Sequence, residues 1–185
     1  MTLPMNLSFE IRPYRLTDRT SLIATINTIC AEGEWMYTTT FEPTPIWLHA
    51  LSEPECTCHS LLVVTSHQDA VIGWCDLLLD DTGEEATLGI ALIEPYRNHG
   101  LGTELLQRTL QWALRQSFRK ISLLVNADNQ RAIHLYHKHG FTTEQEVQPP
   151  VHAKGIWLSL SYLPNLSSMK HLRLPFEQSQ TFEPH

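Results

Sequence analysis

The chain has 185 residues, 42% of them apolar, and a formal net charge of −7 at pH 7. That length is enough for one domain with a sizeable core, and the acidic balance argues against a nucleic-acid binder, which needs a basic face. No apolar run reaches the roughly 18 residues of a membrane span. The opening Met1-Thr2-Leu3-Pro4-Met5-Asn6 lacks a basic stretch followed by an apolar core, so a cytoplasmic location is expected.

Phe9 to Pro13 alternates and reads as a first strand. Thr17 or Asp18 can cap a helix to about Ala31, with Leu22, Ile23, Ile26 and Ile29 at helical spacing. Thr44-Pro45 starts a second helix, with a hydroxyl cap and proline at the first helical position. Ser60 to Ser66 and Ala70 to Leu79 read as a strand pair joined by His67-Gln68-Asp69. Asp80-Asp81-Thr82-Gly83 turns into a fourth strand, about Ala86 to Ile93. A long helix from about Gly100 to Gln116 buries Leu101, Leu105, Leu106, Leu110, Ala113 and Leu114. Lys120 to Val125 is a fifth strand. Asp128 or Asn129 caps a short helix ending at His139, where Gly140 can take the left-handed position. Phe141 to Val147 and Gly155 to Tyr162 form a last strand pair. The order β-α-α-β-β-β-α-β-α-β-β is that of an α/β mixed sheet in one domain, residues 1–163, followed by an irregular tail, 164–185.

Cys30 and Cys75 fall in apolar patterns and read as buried thiols, and without a secretion signal a disulfide framework is not expected. No metal is expected either. Cys56-Thr57-Cys58-His59 is tighter than the usual zinc spacing, and the histidines of His134 to His139 point in different directions on a helix.

The segment most informative about chemistry is Arg97-Asn98-His99-Gly100-Leu101-Gly102, between a strand and a long helix. The first amides of a helix lack internal acceptors, and the helix dipole adds positive character there, so a phosphate can bind. Glycines at 100 and 102 let it approach the backbone. The four-residue spacing and Lys of a P-loop are absent, as is a third glycine of the dinucleotide fingerprint.

Ile93 to Leu106 resembles the acetyl-CoA motif of the GNAT superfamily of N-acetyltransferases. A second signature, Asn129-Gln130-Arg131-Ala132-Ile133-His134-Leu135-Tyr136-His137-Lys138-His139-Gly140-Phe141, follows in order, and Ile11-Arg12-Pro13 with Asp18 resembles the family's opening. Together these span most of residues 9 to 162. The resemblance implies a GNAT-like acyl-CoA N-acyltransferase fold with acetyl-CoA as co-substrate and direct attack by a primary amine. It implies splayed fourth and fifth strands, pantetheine pairing at Ala91, Leu92 and Ile93, and a thioester oxygen met by the N–H of Leu92 or Ile93. It places the pyrophosphate on the amides of Arg97, Asn98, His99, Gly100, Leu101, Gly102 and Thr103, and sets Asn129 beside the cofactor. Tyr136 resembles the family's acid, which protonates the departing thiolate.

The acceptor half is less legible. Thr87 and Leu124 stand where many relatives carry a basic glutamate, so Glu32, Glu34 and Asp76 are the candidate bases, with Trp35 and Tyr37 as possible pocket walls. The missing glutamates also keep open a non-catalytic acyl-CoA-binding module. The expected partner is a small-molecule amine or a peptide N-terminus, with no nucleic acid and no membrane. A homodimer is compatible with the family, through the Trp157 strand or the tail.

Overall fold

The computed structural model describes residues 9–80, 82–116, 119–148 and 155–163. The tail, 164–185, lies outside the described residues. Seven strands and four helices run in chain order: β1 (Phe9–Pro13), α1 (Arg19–Glu32), α2 (Pro45–Ser52), β2 (His59–Ser66), β3 (Val71–Leu79), β4 (Glu85–Leu92), α3 (Leu101–Ala113), β5 (Lys120–Asn126), α4 (Gln130–Lys138), β6 (Thr142–Val147) and β7 (Trp157–Tyr162). Short 3-10 turns at Leu16–Asp18 and Glu94–Tyr96 precede α1 and α3. The strands form one mixed sheet in the order β1-β2-β3-β4-β5-β7-β6.

Helices cover both faces. Leu22, Ile26 and Ile29 of α1 and Leu51 of α2 pack on Val63 and Trp74. On the other face, Leu105, Leu106 and Leu110 of α3 and Ile133 of α4 pack on Cys75, Leu88 and Ile121. This division follows from the two-residue side-chain period of the central strand β3, which is buried on both faces from Val71 to Leu78. Among the described residues, no helix is long and apolar enough to cross a membrane.

Among the described residues the one parallel pair is β4 with β5, and it holds for only Glu85↔Lys120, Ala86↔Ile121 and Thr87↔Ser122. Beyond Thr87, β4 stays paired to β3 as far as Gly73↔Leu92, while β5 stays paired to β7 as far as Asn126↔Trp157. Each strand keeps its outer neighbour and the two separate from each other, which opens a wedge in the middle of the sheet.

Two local expectations are corrected. Asp18 sits at the N-cap of α1, but its carboxylate does not cap that helix. It accepts from both guanidinium nitrogens of Arg12, at 2.6 and 2.9 Å, and from the amide of Arg15 at 2.8 Å. A buried guanidinium needs a full partner more than a helix start needs one acceptor. The Arg12 hydrogen bonds hold the Asp18 carboxyl below its usual range, and Asp18 raises Arg12. The second correction concerns sulfur. Cys30 and Cys75 are buried free thiols as expected, but Cys56 and Cys58 are joined in a local disulfide. Their Cα atoms are 5.4 Å apart, within bridging reach.

Candidate active site

The wedge between β4 and β5 opens onto a cavity of about 370 Å³ at the start of α3, closed on one side by α4. Its walls come from Ile90, Ala91 and Leu92 of β4, the turn Arg97–Gly100, the first residues of α3, and Val125 of β5. Of the sequence-predicted residues, Trp35, Ala91, Leu92, Arg97, Asn98, Gly100, Gly102, Thr103, Asn129 and Tyr136 line it; Ile93, His99, Leu101, Glu32, Glu34, Tyr37 and Asp76 do not.

The ladder register decides which backbone groups of β4 face the wedge. The amide of Ile93 donates to the carbonyl of Ile72 at 3.0 Å, so Ile93 is turned toward β3. Antiparallel pairs alternate between bonded and non-bonded, so the neighbouring Gly73↔Leu92 pair turns its backbone outward. The Leu92 carbonyl accordingly accepts from Arg97 Nε at 2.7 Å. Of the two amides expected at the thioester, the one at Leu92 therefore points away from β3, and the one at Ile93 already has an acceptor.

The turn before α3 is built from two left-handed residues, Asn98 at φ 67° and Gly100 at φ 82°. That conformation is cheap only for glycine and tolerable for asparagine. It delivers the chain into α3 with the Gly100 carbonyl accepting from Glu104, which leaves the amides of Leu101, Gly102 and Thr103 pointing out of the helix start. A Cβ on Gly100 would meet no atom within 4 Å, so the space beside the turn is open, whereas one on Gly102 would touch Leu135 and Leu92 at 3.8 and 4.0 Å.

Arg97 is held from two directions. Its Nε goes to Leu92 and its guanidinium pairs with both carboxylate oxygens of Glu32, at 2.8 and 2.7 Å. Glu32 thus ties the end of α1 to the turn and is engaged in an ion pair, whereas Glu34 is exposed. On the opposite rim, Arg131 donates to Asn98 Oδ1 at 2.9 Å, and His134 and Lys138 add basic groups to the cavity wall. This basic face of α4 did not emerge from the sequence reading, although Arg131, Leu135 and Lys138 recur at helical spacing. Asn129 Oδ1 accepts from the Ala132 amide at 3.2 Å and so caps α4 while lining the cavity.

Tyr136 projects from α4 into the cavity wall and is 7% exposed. Burial and the nearby Cys75 and Asp76 raise its phenol well above the ordinary range, which keeps the proton on oxygen. Its ring leans on Phe141 at a centroid distance of 5.6 Å.

Among the described residues, Asp76 is the one strongly perturbed carboxyl near this centre. It is 4% exposed on β3 and accepts from Trp74 Nε1 at 2.8 Å. Burial pushes its pKa up to about 7 despite that hydrogen bond. It faces Gly89 of β4, where any Cβ would overlap its carboxylate, so the glycine makes room for the acid. Burial raises the phenol of Tyr37, and the charge of Asp76 adds to that rise as it does at Tyr136. The family's glutamate positions stay without an acid: Thr87 is exposed in the last paired rung and Leu124 is exposed on β5. Tyr37 stands at the surface, its ring at 77° to that of Trp157 with centroids 6.2 Å apart.

A splayed parallel pair that opens onto a glycine turn and a helix start, in a sheet covered on both faces, defines the acyl-CoA N-acyltransferase class of fold. The model of the acetyltransferase (GNAT) family matches residues 23–141, and the chain belongs to that family and is an acetyltransferase. No curated protein matches the chain significantly. Solved structures are similar in fold. An acetyltransferase of the GNAT family from Streptococcus pneumoniae is 23% identical, with a TM-score of 0.74 over 85% of this chain and 100% of that one. The yncA protein of Salmonella typhimurium, solved with its cofactor acetyl-CoA, is 16% identical, with a TM-score of 0.70 over 85% and 95%. Spermidine N-acetyltransferase from Vibrio cholerae, in complex with CoA and spermine, is 18% identical, with a TM-score of 0.63 over 84% and 95%.

Proposed function

We propose that this protein transfers acetyl from acetyl-CoA to a primary amine by direct attack within a ternary complex. The observation that carries the reading is the position of Tyr136, a buried neutral phenol lining the same cavity as the wedge and the glycine turn. The pantetheine arm pairs in the wedge beside Ala91 and Leu92. The pyrophosphate rests on the turn from Arg97 to Gly100 and the amides of Leu101, Gly102 and Thr103, where the helix dipole favours anions. Arg97 contributes by fixing the turn through Leu92 and Glu32. Arg131 and Lys138 supply positive charge to the outer phosphates, His134 offers a ring N–H, and Asn129 borders the arm from the cap of α4.

In the transfer, the amine nitrogen attacks the thioester carbonyl carbon and the carbonyl oxygen becomes an oxyanion, which the Leu92 amide stabilises. The carbon–sulfur bond then breaks. The thiolate takes the proton of Tyr136, and the nitrogen loses its proton through water toward Asp76, which does not itself line the cavity. Asp76 suits that role because its affinity for a proton lies near neutrality. The amine reaches the centre from the side of Trp35 and Tyr37, in the loop between α1 and α2. A small-molecule amine and a peptide N-terminus both satisfy this chemistry.

Titration calorimetry with acetyl-CoA, followed by thiol release across a panel of amines and peptides, tests the reading. Binding together with acceptor-dependent release supports it. Binding without release from any acceptor supports the non-catalytic module in its place.

A further inference from the structure

A second cluster of reactive side chains lies apart from the acyl cavity. His49 in the last turn of α2, Cys56 and Cys58 in the following loop, and His59 at the start of β2 bring one ligand atom each to within 4.8 Å of all the others. None of the four lines the acyl cavity. Cys58 Sγ is 3.3 Å from His49 Nε2 and 3.5 Å from His59 Nδ1. Those separations are close to the edges of a small coordination tetrahedron, about 3.3 to 3.8 Å for zinc bonds of 2.0 to 2.3 Å. The two rings stand nearly perpendicular, 87° apart, with centroids 6.0 Å apart.

We propose that, with Cys56 and Cys58 reduced, these four residues bind one zinc-class ion as a structural Cys2His2 site. The chain spacing alone argued against a metal, because two cysteines separated by one residue are closer than the usual pair. The fold supplies what that spacing lacks, a histidine from α2 ten residues before His59. Two thiolates and two imidazoles are the donor set that zinc prefers, and four protein ligands leave no open position, as in structural sites. His59 is 6% exposed, with Nδ1 turned to Cys58 Sγ, so the ring presents that nitrogen to the shared centre and not to solvent. A shallow pocket lined by His49, Cys58, His59 and Asp80 gives an ion a route from solvent.

The disulfide and the metal site are two states of the same sulfurs. Reduction by a phosphine converts the disulfide and one water to two thiols and a phosphine oxide. The ion then forms two metal–sulfur bonds and two metal–nitrogen bonds, and two thiol protons go to solvent. The oxidised chain has no thiolate to offer and does not form the site. Filled, the ion ties the end of α2 to the start of β2. The proposal is independent of the acetyl-transfer reading.

The test uses the full chain, reduced with a water-soluble phosphine under anaerobic conditions and titrated with Co(II), whose visible bands report geometry and whose near-ultraviolet charge transfer reports thiolate ligands. The expected result is one ion per chain, tetrahedral visible bands, thiolate charge transfer, and full displacement by zinc. Cys58→Ser should weaken binding at least 100-fold and remove about half of the charge-transfer intensity. His49→Gln, at an exposed position, should weaken it at least tenfold. Circular dichroism of each variant separates ligand loss from misfolding. An octahedral spectrum, or equal affinity in wild type and Cys58→Ser, would overturn the proposal. So would equal binding by the reduced and the oxidised chain.

Discussion

Asp76→Asn separates stability from activity at the candidate centre. The substitution keeps the shape of the side chain and an oxygen for Trp74 Nε1, but removes the ionisable proton. In the folded protein burial raises the Asp76 carboxyl from its ordinary 3.8 to about 7. The folded state therefore holds its proton more tightly than the unfolded state. The stability this confers is fully present below about pH 4 and is lost as pH rises toward 7. A difference of that size corresponds to about 4 kcal/mol at 1.36 kcal/mol per pH unit, of which roughly 2.5 kcal/mol falls between pH 5 and pH 9. Urea unfolding of wild type and variant at those two pH values measures it. The free-energy difference between the two proteins should move by roughly 2.5 kcal/mol in favour of the variant at pH 9. The variant should also lose acetyl transfer at every pH, becoming more stable at alkaline pH and less active. A difference that stays constant from pH 5 to pH 9 would refute the assignment of Asp76 as a carboxyl charged against its burial.

Other substitutions probe the remaining parts. Gly100→Ala must hold an alanine at a φ of 82°, which costs about 1–2 kcal/mol; coenzyme A affinity should fall, as calorimetry would show, although open space surrounds the site. Asp18→Asn leaves the buried Arg12 guanidinium without its carboxylate and should destabilise the chain by about 3–5 kcal/mol at neutral pH. Because Asp18 is held below its usual range, the wild-type pair's contribution is present above about pH 4 and lost as pH falls further, so the difference between the two proteins should narrow in acid unfolding curves. Glu32→Gln keeps a single hydrogen bond to Arg97 at best, and should raise the dissociation constant for coenzyme A severalfold with little change in melting temperature.

Much of this architecture was legible because the relevant signals are local. Alternation marked β1 at its observed bounds, Thr44-Pro45 marked the start of α2, and Gly140 at φ 91° stands where a left-handed residue was expected after α4. The glycine turn was visible for the same reason, since a positive φ and a helix start are properties of adjacent residues. The wedge itself depends on where β5 and β7 pair, which no single segment encodes. The same limit applies to Asp76. Among several acidic residues it stands out only once Gly89 is seen to face it across the β3–β4 ladder. Asp18 looked like a helix cap because capping is local, whereas its guanidinium partner depends on how β1 lies against the turn. His59 was visible beside Cys56 and Cys58, but His49 joins them only through the way α2 and β2 come together.

The most direct test of the central claim is single-turnover acetyl transfer at saturating acetyl-CoA, wild type against Tyr136→Phe, with the best acceptor from the amine screen. The variant loses one hydroxyl from a packed ring and should bind acetyl-CoA as tightly as wild type. General acid catalysis contributes about 10²–10⁴-fold, so its transfer rate should fall by at least 100-fold. Equal transfer rates in the two proteins across the pH range, with unchanged binding, would contradict the account.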